Sequence, residues 1–412
     1  MHDMKGKIDI HDYDKKLRTA ISNLEKSEVS QANKDVIKKY ADFLFMDNIG
    51  KARILKYVST LKIIARKINK DFAQASAEDL KTFLIGIHNN ASYSIWTRFD
   101  YNVTIKKFYK WLEGDIKANE YPKKVSWIKT TVKKKDKPKV KKSELLGEEE
   151  IQKLLKAIDN PRDKALIALV WDTGARIGEI GGMTIKHVSF EDNATYVDLV
   201  GKTGSRTCLA IESTPYLVRW LESHPARENQ SSPLWLDRSG KSMTYAALAK
   251  VFRRAFEKAG IKKGFNPHLF RHSRATWCAE NGWSSYEMCK HFGWEMDSGM
   301  PAVYISMVDK DVHNKMKEAY GINTDRQKKV EERKMKMCPR CDVVNPNHGK
   351  FCYKCGMSLD TKTALDVENK RHLADDLMLK LLKHPELKEI LVKKLKEQQL
   401  DKEVKKIIGG AE

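Results

Sequence analysis

The chain of 412 residues carries 77 Lys and Arg against 55 Asp and Glu, which gives a formal net charge of +22. So basic a composition is typical of proteins that bind a polyanion, most often nucleic acid, although a generally basic surface is the plainer explanation. No run of about 18 apolar residues occurs and the first residues lack the apolar core of a signal peptide, so we expect neither a membrane span nor secretion.

The length favours two or three domains, and residues 28–118 predict the first of them, an all-helical bundle. Apolar residues recur every three or four positions along 54–68, and Ser76 with Asp79 predicts a capping box at the start of the next helix. A further amphipathic segment, 103–112, carries lysines on its other faces. Basic helices suit a DNA backbone, but an ordinary bundle with solvated lysines explains this segment equally well.

Residues 133–142, KKKDKPKVKK, hold seven lysines and a proline and cannot form a core. They therefore predict an extended linker, within a connecting region of 119–143, and we place the boundary between two domains there. Each lysine could neutralise one phosphate if the linker follows a DNA backbone.

Beyond the linker, the pattern predicts helices and one β-hairpin. Helices are expected within 151–171, and the following turn, TGARIGE, has glycines that allow a new helix to start beside Arg176. Two β-rich runs, 194–200 and 206–211, predict a hairpin with Lys202 near its loop. On its own, a surface salt bridge explains Arg176 as well, and an exposed hairpin lysine usually serves solubility.

The stretch from Pro267 to Tyr304 holds four side chains that suit one chemical task. His268 and Arg271 lie three positions apart, so on a helix they share one face. Trp294 precedes Tyr304 by ten positions. A histidine, an arginine, an indole donor and a tyrosine can converge on one phosphate, which indicates phosphoryl transfer.

Four sequence boxes occur in the order and approximate spacing of the tyrosine recombinases, also called phage integrases. They are TGARIGEI, GKTGSR, HLFRHSRATW and HFGWEMDSGMPAVYI, and the chain resembles that family over roughly residues 30–325. The helices before the linker resemble the family's core-binding (SAM-like) domain, which clamps DNA opposite the catalytic domain. The residues that match the family's active-site positions are Arg176, Lys202, His268, Arg271, Trp294 and Tyr304.

The resemblance implies that Tyr304 attacks the scissile phosphorus and forms a 3′-phosphotyrosine. This intermediate keeps the bond energy, so catalysis needs no metal or ATP. Nearby cations must favour the phenolate, because free tyrosine has a pKa of about 10. Arg176 and Arg271 would hold the non-bridging oxygens, and Glu179 would orient the arginines.

The resemblance assigns three further roles. His268 would accept a proton or donate a hydrogen bond to the phosphate. Trp294, in place of the histidine of many relatives, would donate through its indole nitrogen. Lys202 would be the general acid for the leaving 5′ hydroxyl.

Plainer interpretations of these residues stay open. Trp294 could simply pack in the core, and Tyr304 could be a buried structural tyrosine. Tyr286 and Tyr320 are rival nucleophiles, but neither matches the box spacing. The histidines expected to support the site rather than to catalyse are His272 and His291.

Four cysteines near the C-terminus occur as two Cys-x-x-Cys pairs. Cys338 and Cys341 are followed, after ten intervening residues, by Cys352 and Cys355. This spacing predicts a structural zinc ribbon with four thiolate ligands, and a redox dithiol is the alternative. The ribbon and the lysine-rich character resemble proteins of archaea or their viruses.

The last segment predicts short amphipathic helices on both sides of His384-Pro385. Alone they bury little apolar surface, so we expect them to dock on a protomer or to pair between protomers. The apolar positions are Leu373, Leu377, Leu381, Leu387, Ile390, Leu391 and Leu395.

The expected fold is mainly α with a small antiparallel β-sheet, and the expected function is site-specific DNA recombination. The alternatives are a DNA-binding or architectural protein and a type IB-like topoisomerase on the same fold. We expect double-stranded DNA as the partner, a homotetramer on two DNA sites, no membrane, and a cytoplasmic, nucleoid-associated location. The expected parts are an N-terminal extension (1–27), a DNA clamp (28–118), a linker (119–143), a catalytic domain (144–325), a zinc ribbon (335–360) and a helical tail (361–412).

Overall fold

The structure of the protein is a computed structural model. It describes residues 8–114, 120–133, 136, 141–191, 194–201, 204–306, 313, 316–317, 319–322, 335–347, 349–386, 389–390 and 393–394. These residues are mainly helical with a small antiparallel sheet, which confirms the expected fold class. Among them, no helix combines the length and the apolar character that crossing a membrane requires.

The N-terminal part is a bundle of helices, called the bundle below. Its helices are α1 (Tyr13–Glu25), α2 (Gln31–Met46), α3 (Lys51–Ile68), α4 (Ala77–Asn89), α5 (Ile95–Leu112) and the short α6 (Lys123–Ser126). α3 lies at the centre and packs against α1, α2, α4 and α5, because its apolar residues face several neighbours. Ser76 and Asp79 form the predicted capping box at the start of α4.

The packing of the bundle continues beyond residues 28–118 at both ends. Leu24 of α1 is fully buried, although α1 belongs to the segment expected to be an N-terminal extension. Val125 and Ile128, within the expected linker, are buried in the same core. Charged residues outnumber apolar ones in both segments, so their few buried side chains are hard to recognise from the sequence alone.

The larger lobe, residues 145–306, holds most of the remaining elements. They are α7 (Glu148–Lys156), α8 (Pro161–Thr173), α9 (Ile177–Gly181), β1 (Val188–Glu191), β2 (Ala194–Gly201), β3 (Gly204–Ala210), α10 (Thr214–Glu222), α11 (Tyr245–Lys258), α12 (Pro267–Glu280), α13 (Ser285–Phe292) and α14 (Met300–Ile305). Every residue from Ala165 to Thr173 is buried, because α8 packs against α7, α10, α12 and β3. α8 is therefore the central helix of the lobe.

The sheet of the larger lobe has the strand order β1-β2-β3, antiparallel throughout. β2 and β3 form the predicted hairpin, in which Gly201 pairs with Gly204 at the loop end. Inward side chains such as Val197 and Cys208 pair with each other and join the core of the lobe. The sequence did not predict β1, a short strand with largely exposed side chains.

The N-terminal residues before α1 belong to the larger lobe rather than to the bundle. Ile10 is 5% exposed in the core of the lobe, and the Tyr245 N–H donates to the Ile10 carbonyl at 2.9 Å. The His11 ring stacks between the rings of Tyr13 and Tyr245, at 5.0 and 4.8 Å. The chain therefore runs from the lobe into the bundle and returns to the lobe after residue 128.

The C-terminal segment consists of a small hairpin and one long helix. The hairpin pairs β4 (Lys336–Met337) with β5 (Val344–Asn345), and the helix is α15 (Thr361–Lys383). Leu373 and Leu377 of α15 are 71% and 60% exposed, so most of this apolar stripe is left uncovered by the described residues. Of the predicted apolar positions further on, Leu387, Leu391 and Leu395 lie outside the described residues.

Candidate active site

The first arginine of the site stands where α8 gives way to α9. Gly174 ends α8 with a φ of 57°, the left-handed conformation that favours glycine. A Cβ at Gly174 would also lie 2.6 Å from the Phe292 ring, so only glycine fits this turn. The turn places Arg176 at the N-cap of α9, with its side chain half-buried.

Glu179 fixes that arginine from the first turn of α9. Its carboxylate accepts hydrogen bonds from the Arg176 N–H at 2.9 Å and from Arg176 Nη1 at 2.8 Å. It also accepts from Arg206 Nη2 of β3 at 2.9 Å. Burial alone would raise the pKa of Glu179, but the hydrogen bonds and charges of Arg206 and Arg176 outweigh burial and lower the pKa to about 2.

Arg206 ties the hairpin to the rest of the site. Besides its ion pair with Glu179, its Nε donates to the His291 carbonyl at 2.8 Å, so β3 is held against both α9 and α13. A Cβ on Gly201 would collide with the Glu179 carboxylate, so the glycine lets β2 approach α9. Lys202 follows Gly201 directly and lies outside the described residues.

The N-terminal half of α12 supplies the histidine and the second arginine. The Asn266 side chain caps the helix by accepting the His268 N–H at 2.7 Å, and Pro267 occupies the first turn. His268 and Arg271 then lie one turn apart, as predicted. His268 is exposed, and its pKa is lowered by partial desolvation and by the charges of Arg271 and Arg176.

Arg271 is a buried cation whose hydrogen bonds hold it in place. It is 5% exposed, and it donates to the Gly174 carbonyl at 3.2 Å and to the Phe292 carbonyl at 2.6 Å. Its guanidinium lies 5.2 Å from the centre of the Trp294 ring. Desolvation, and then the neighbouring charge of Arg176, lower the pKa of Arg271 to about 10. The hydrogen bonds of Arg271 go to carbonyl oxygens, so Glu179 does not hold it directly. The two arginines that donate to Glu179 are Arg176 and Arg206.

Trp294 and Tyr304 complete the cluster. Their rings stack at 5.7 Å with an angle of 3°, and Trp294 also stacks on Phe292 at 4.8 Å. Tyr304, on α14, is 1% exposed, and its hydroxyl lies 2.6 Å from His272 Nδ1. Burial raises the pKa of Tyr304 to about 12, although Arg271 opposes this shift.

The structure thus brings together five of the six residues predicted for the active site, and Lys202 lies outside the described residues. The rival tyrosines differ from the buried Tyr304 in exposure, since Tyr286 is 61% and Tyr320 78% exposed. Sequence reasoning missed Arg206 and gave His272 only a supporting role. His272 lies four residues after His268, so helical spacing could have indicated its position on the same face.

The four predicted zinc ligands form a second cluster, far along the chain from the first. Their Sγ atoms all lie within 4.8 Å of one another, and the Cys338–Cys355 and Cys341–Cys352 separations are 3.5 and 3.6 Å. A tetrahedral zinc with bonds of about 2.3 Å would hold thiolates roughly 3.8 Å apart. The Asn345 amide also donates to Cys352 Sγ at 3.6 Å, which suits a thiolate ligand.

Comparison with known proteins shows what the chain is similar to. Residues 144–310 match the model of the phage integrase family. The tyrosine recombinase XerA of Saccharolobus solfataricus is 23% identical over 306 residues, 71% of this chain and 95% of the relative. The XerA of Pyrococcus horikoshii is 26% identical over 262 residues, 63% of this chain and 84% of the relative.

Two solved structures share the fold at low identity. One is the XerH site-specific recombinase bound to a palindromic difH substrate, with a TM-score of 0.51 and 18% identity over 76% of this chain and 99% of that chain. The other is a lambda integrase dimer bound to a COC′ core site, with a TM-score of 0.51 and 19% identity over 66% of this chain and 76% of that chain. The fold of this chain is therefore one that site-specific recombinases and integrases share. Residues 144–310 therefore carry a phage integrase domain, and the relatives that the chain matches are tyrosine recombinases.

Proposed function

We propose that this protein is a site-specific DNA recombinase that cleaves and rejoins strands through a 3′-phosphotyrosine, with Tyr304 as the nucleophile. The observation that carries the proposal is the convergence of Tyr304 and Trp294 with Arg271, a buried cation whose hydrogen bonds to described residues go to carbonyl oxygens. A guanidinium in such a setting suits a phosphate, whose oxygens accept its forked donors. The residues proposed as catalytic are Arg176, Lys202, His268, Arg271, Trp294 and Tyr304.

The strand-cleavage step follows from these positions. Arg176 and Arg271 bind the non-bridging oxygens and stabilise the charge that grows on them in the transition state. The Tyr304 oxygen forms a bond to phosphorus, and the bond from phosphorus to the 5′ oxygen breaks. Trp294 can only donate, so its Nε1 suits a phosphate oxygen. His268 is exposed and one turn from Arg271, where it can donate to the same phosphate.

The leaving 5′ oxygen needs a proton, and we assign that proton to Lys202. The ion pair between Arg206 and Glu179 supports this role, because it holds the base of the hairpin against α9 and Arg176. The reverse reaction, attack of a 5′ hydroxyl on the phosphotyrosine, rejoins strands and needs the same residues.

The partner is double-stranded DNA, and the bundle is proposed as the clamp on the face opposite the larger lobe. A lambda integrase tetramer bound to a Holliday junction, with 16% identity and a TM-score of 0.50, supports the proposal of a homotetramer on two DNA sites. A protein with this task works where the chromosome is, so we propose a cytoplasmic, nucleoid-associated location. The four clustered cysteines can bind a metal ion, and we propose a structural zinc there with no part in strand cleavage.

The test is covalent capture on a nicked duplex, where loss of the short cleaved fragment prevents rejoining. The wild-type chain should form a covalent protein–DNA species that maps to Tyr304. Tyr304→Phe keeps the stacked ring but lacks the attacking oxygen, so it should bind DNA and form no adduct. An adduct on Tyr286 or Tyr320 would contradict the assignment. Relaxation of supercoiled DNA without a preferred site would favour a topoisomerase, and absence of any adduct would favour an architectural protein.

A further inference from the structure

His272 touches the atom that the proposed reaction makes reactive. It lies on α12 one turn after His268, and its Nδ1 is 2.6 Å from the Tyr304 hydroxyl oxygen. The two rings lie 5.9 Å apart and are inclined by 38°. Within the described part of the chain, His272 is the one hydrogen-bond partner of that hydroxyl.

The Tyr304 proton needs an acceptor before or during attack, and the surroundings leave few choices. Tyr304 is 1% exposed, so bulk water does not reach the hydroxyl freely. Arg176 and Arg271 carry donors and no acceptor atom. The ring of His268 lies 6.3 Å from the ring of His272, and among the described residues it forms no hydrogen bond with Tyr304.

His272 is in the right state to accept. Desolvation, followed by the charges of His268 and Arg271, lowers the pKa of His272 below its ordinary value of 6.5. The imidazole is therefore neutral at pH 7, and its Nδ1 can carry the lone pair that faces the phenol, with the other nitrogen protonated. The titratable and charged groups that face it are His268 and Arg271 on its own helix and Tyr304 on α14.

We propose that His272 is a catalytic residue, the general base that accepts the Tyr304 proton as the phenolic oxygen attacks phosphorus. The role rests on the proposed function. In this step the O–H bond of Tyr304 breaks and its proton passes to His272 Nδ1. The oxygen forms its bond to phosphorus, and the 5′ oxygen departs with a proton from the general acid. The resulting imidazolium is stabilised by the phosphate charge that the bound DNA brings into the site.

The experiment measures the rate of covalent adduct formation on the nicked duplex under single-turnover conditions, between pH 5 and pH 9. The variants are His272→Ala and His272→Asn, whose side-chain amide can place an oxygen near the Nδ1 position but does not titrate. Each is prepared with tyrosine and with difluorotyrosine, a more acidic phenol, at position 304. Thermal unfolding and DNA affinity of every variant are measured alongside.

The wild-type rate should fall as the pH drops below the pKa of His272, because an imidazolium cannot accept a proton. His272→Ala should cleave about 100-fold more slowly at pH 7, the usual contribution of a general base. His272→Asn should be slow as well, and its rate should no longer fall at low pH. Difluorotyrosine should raise the rate of His272→Ala but not that of the wild type, since a more acidic phenol needs the base less.

Three results would overturn the proposal. One is a His272→Ala rate equal to that of the wild type. Another is a fall in rate at low pH that persists in His272→Asn. The third is a slow His272→Ala that difluorotyrosine does not rescue, which is the result that a purely structural role predicts. Failure of the proposed function looks different, because the wild type would then form no adduct at Tyr304 at any pH.

Discussion

The indole ring of Trp294 lies between the rings of Phe292 and Tyr304, and it also faces the guanidinium of Arg271. Two contributions therefore meet in one side chain. The ring packs against Tyr304, the proposed nucleophile, and the Nε1 hydrogen is the proposed donor to a phosphate. A change to alanine removes both contributions at once, so it cannot tell them apart.

Three substitutions of Trp294 should separate packing from donation. Trp294→Phe keeps an aromatic ring for the stack and removes the donor, so adduct formation should fall about tenfold to 100-fold with little loss of thermal stability. Trp294→His restores a ring donor and should cleave faster than Trp294→Phe. Trp294→Ala should lose both activity and stability. Single-turnover cleavage and thermal unfolding of the three variants check this order, and equal activity of Trp294→Phe and wild type would refute the donor role.

α9 and the β2–β3 hairpin are held together by one buried carboxylate. Glu179 is 3% exposed and is shared by Arg176 and Arg206. Loss of one partner of a buried ion pair leaves the other charges uncompensated, which makes such a pair costly to break. The β2–β3 hairpin therefore depends for its position on a residue in a different box of the sequence.

Glu179→Gln should destabilise the protein by roughly 3 kcal/mol at neutral pH. The pKa of Glu179 is depressed in the folded state to about 2, against an ordinary 4.5. Its contribution to stability is thus fully present above about pH 4.5 and is lost as the pH falls toward 2. Urea unfolding at pH 7 and pH 3 should show a smaller difference between variant and wild type at pH 3. Glu228→Gln, at an exposed pair with Arg227, should change neither value.

Regular patterns in the sequence predicted the elements well where packing is local. The hairpin of β2 and β3 follows from alternating β-rich runs around a glycine-containing loop, and α8 follows from its cap and its apolar run. The β1 strand has no such pattern, because its side chains are largely exposed. The helix α1 carries Leu17, Ile21 and Leu24 at helical spacing, and these residues pack in the bundle, although this helix was not among those predicted from the sequence. Their positions depend on neighbours that are distant in the sequence.

The candidate site was predictable only where a residue type and its spacing define a chemical role. His268 and Arg271 share a helix face, and such spacing is visible in the sequence. The contact of Arg206 with Glu179 and that of His272 with Tyr304 join residues 27 and 32 positions apart. No local pattern encodes contacts of this kind, because they depend on how α9, β3, α12 and α14 pack.

At the scale of the whole molecule, the ribbon with its four cysteines should behave as a unit separate from the site. Purified protein should carry about one zinc per chain, and changing Cys338 and Cys341 together to Ser should abolish zinc binding. Cleavage of a nicked duplex should survive this change better than complete recombination does. Metal analysis and the two activity assays check this, with Cys289→Ser as a control that should retain zinc. Metal-free wild type with an ordered ribbon would contradict the assignment.

The connecting region should contribute to DNA affinity through charge alone. Changing Lys133, Lys134 and Lys135 to Ala should weaken the dependence of DNA affinity on salt. The slope of log affinity against log salt concentration should decrease in magnitude by roughly 1 for each lost phosphate contact. Changing the same three residues to Arg keeps the charge and should leave the slope as it is. Binding titrations at several salt concentrations measure both. Equal slopes in all three proteins would place these lysines outside the interface.

The burial of Ile10 in the larger lobe has a consequence for how the molecule can move around a duplex. Two connecting segments join the bundle to the larger lobe, one before α1 and one after residue 128. The bundle is therefore inserted into the sequence of the lobe. A domain attached through two connecting segments rotates most easily about a hinge axis that passes through both segments. We expect the two halves to part on the side away from this axis, so a duplex would enter sideways and need not be threaded from an end.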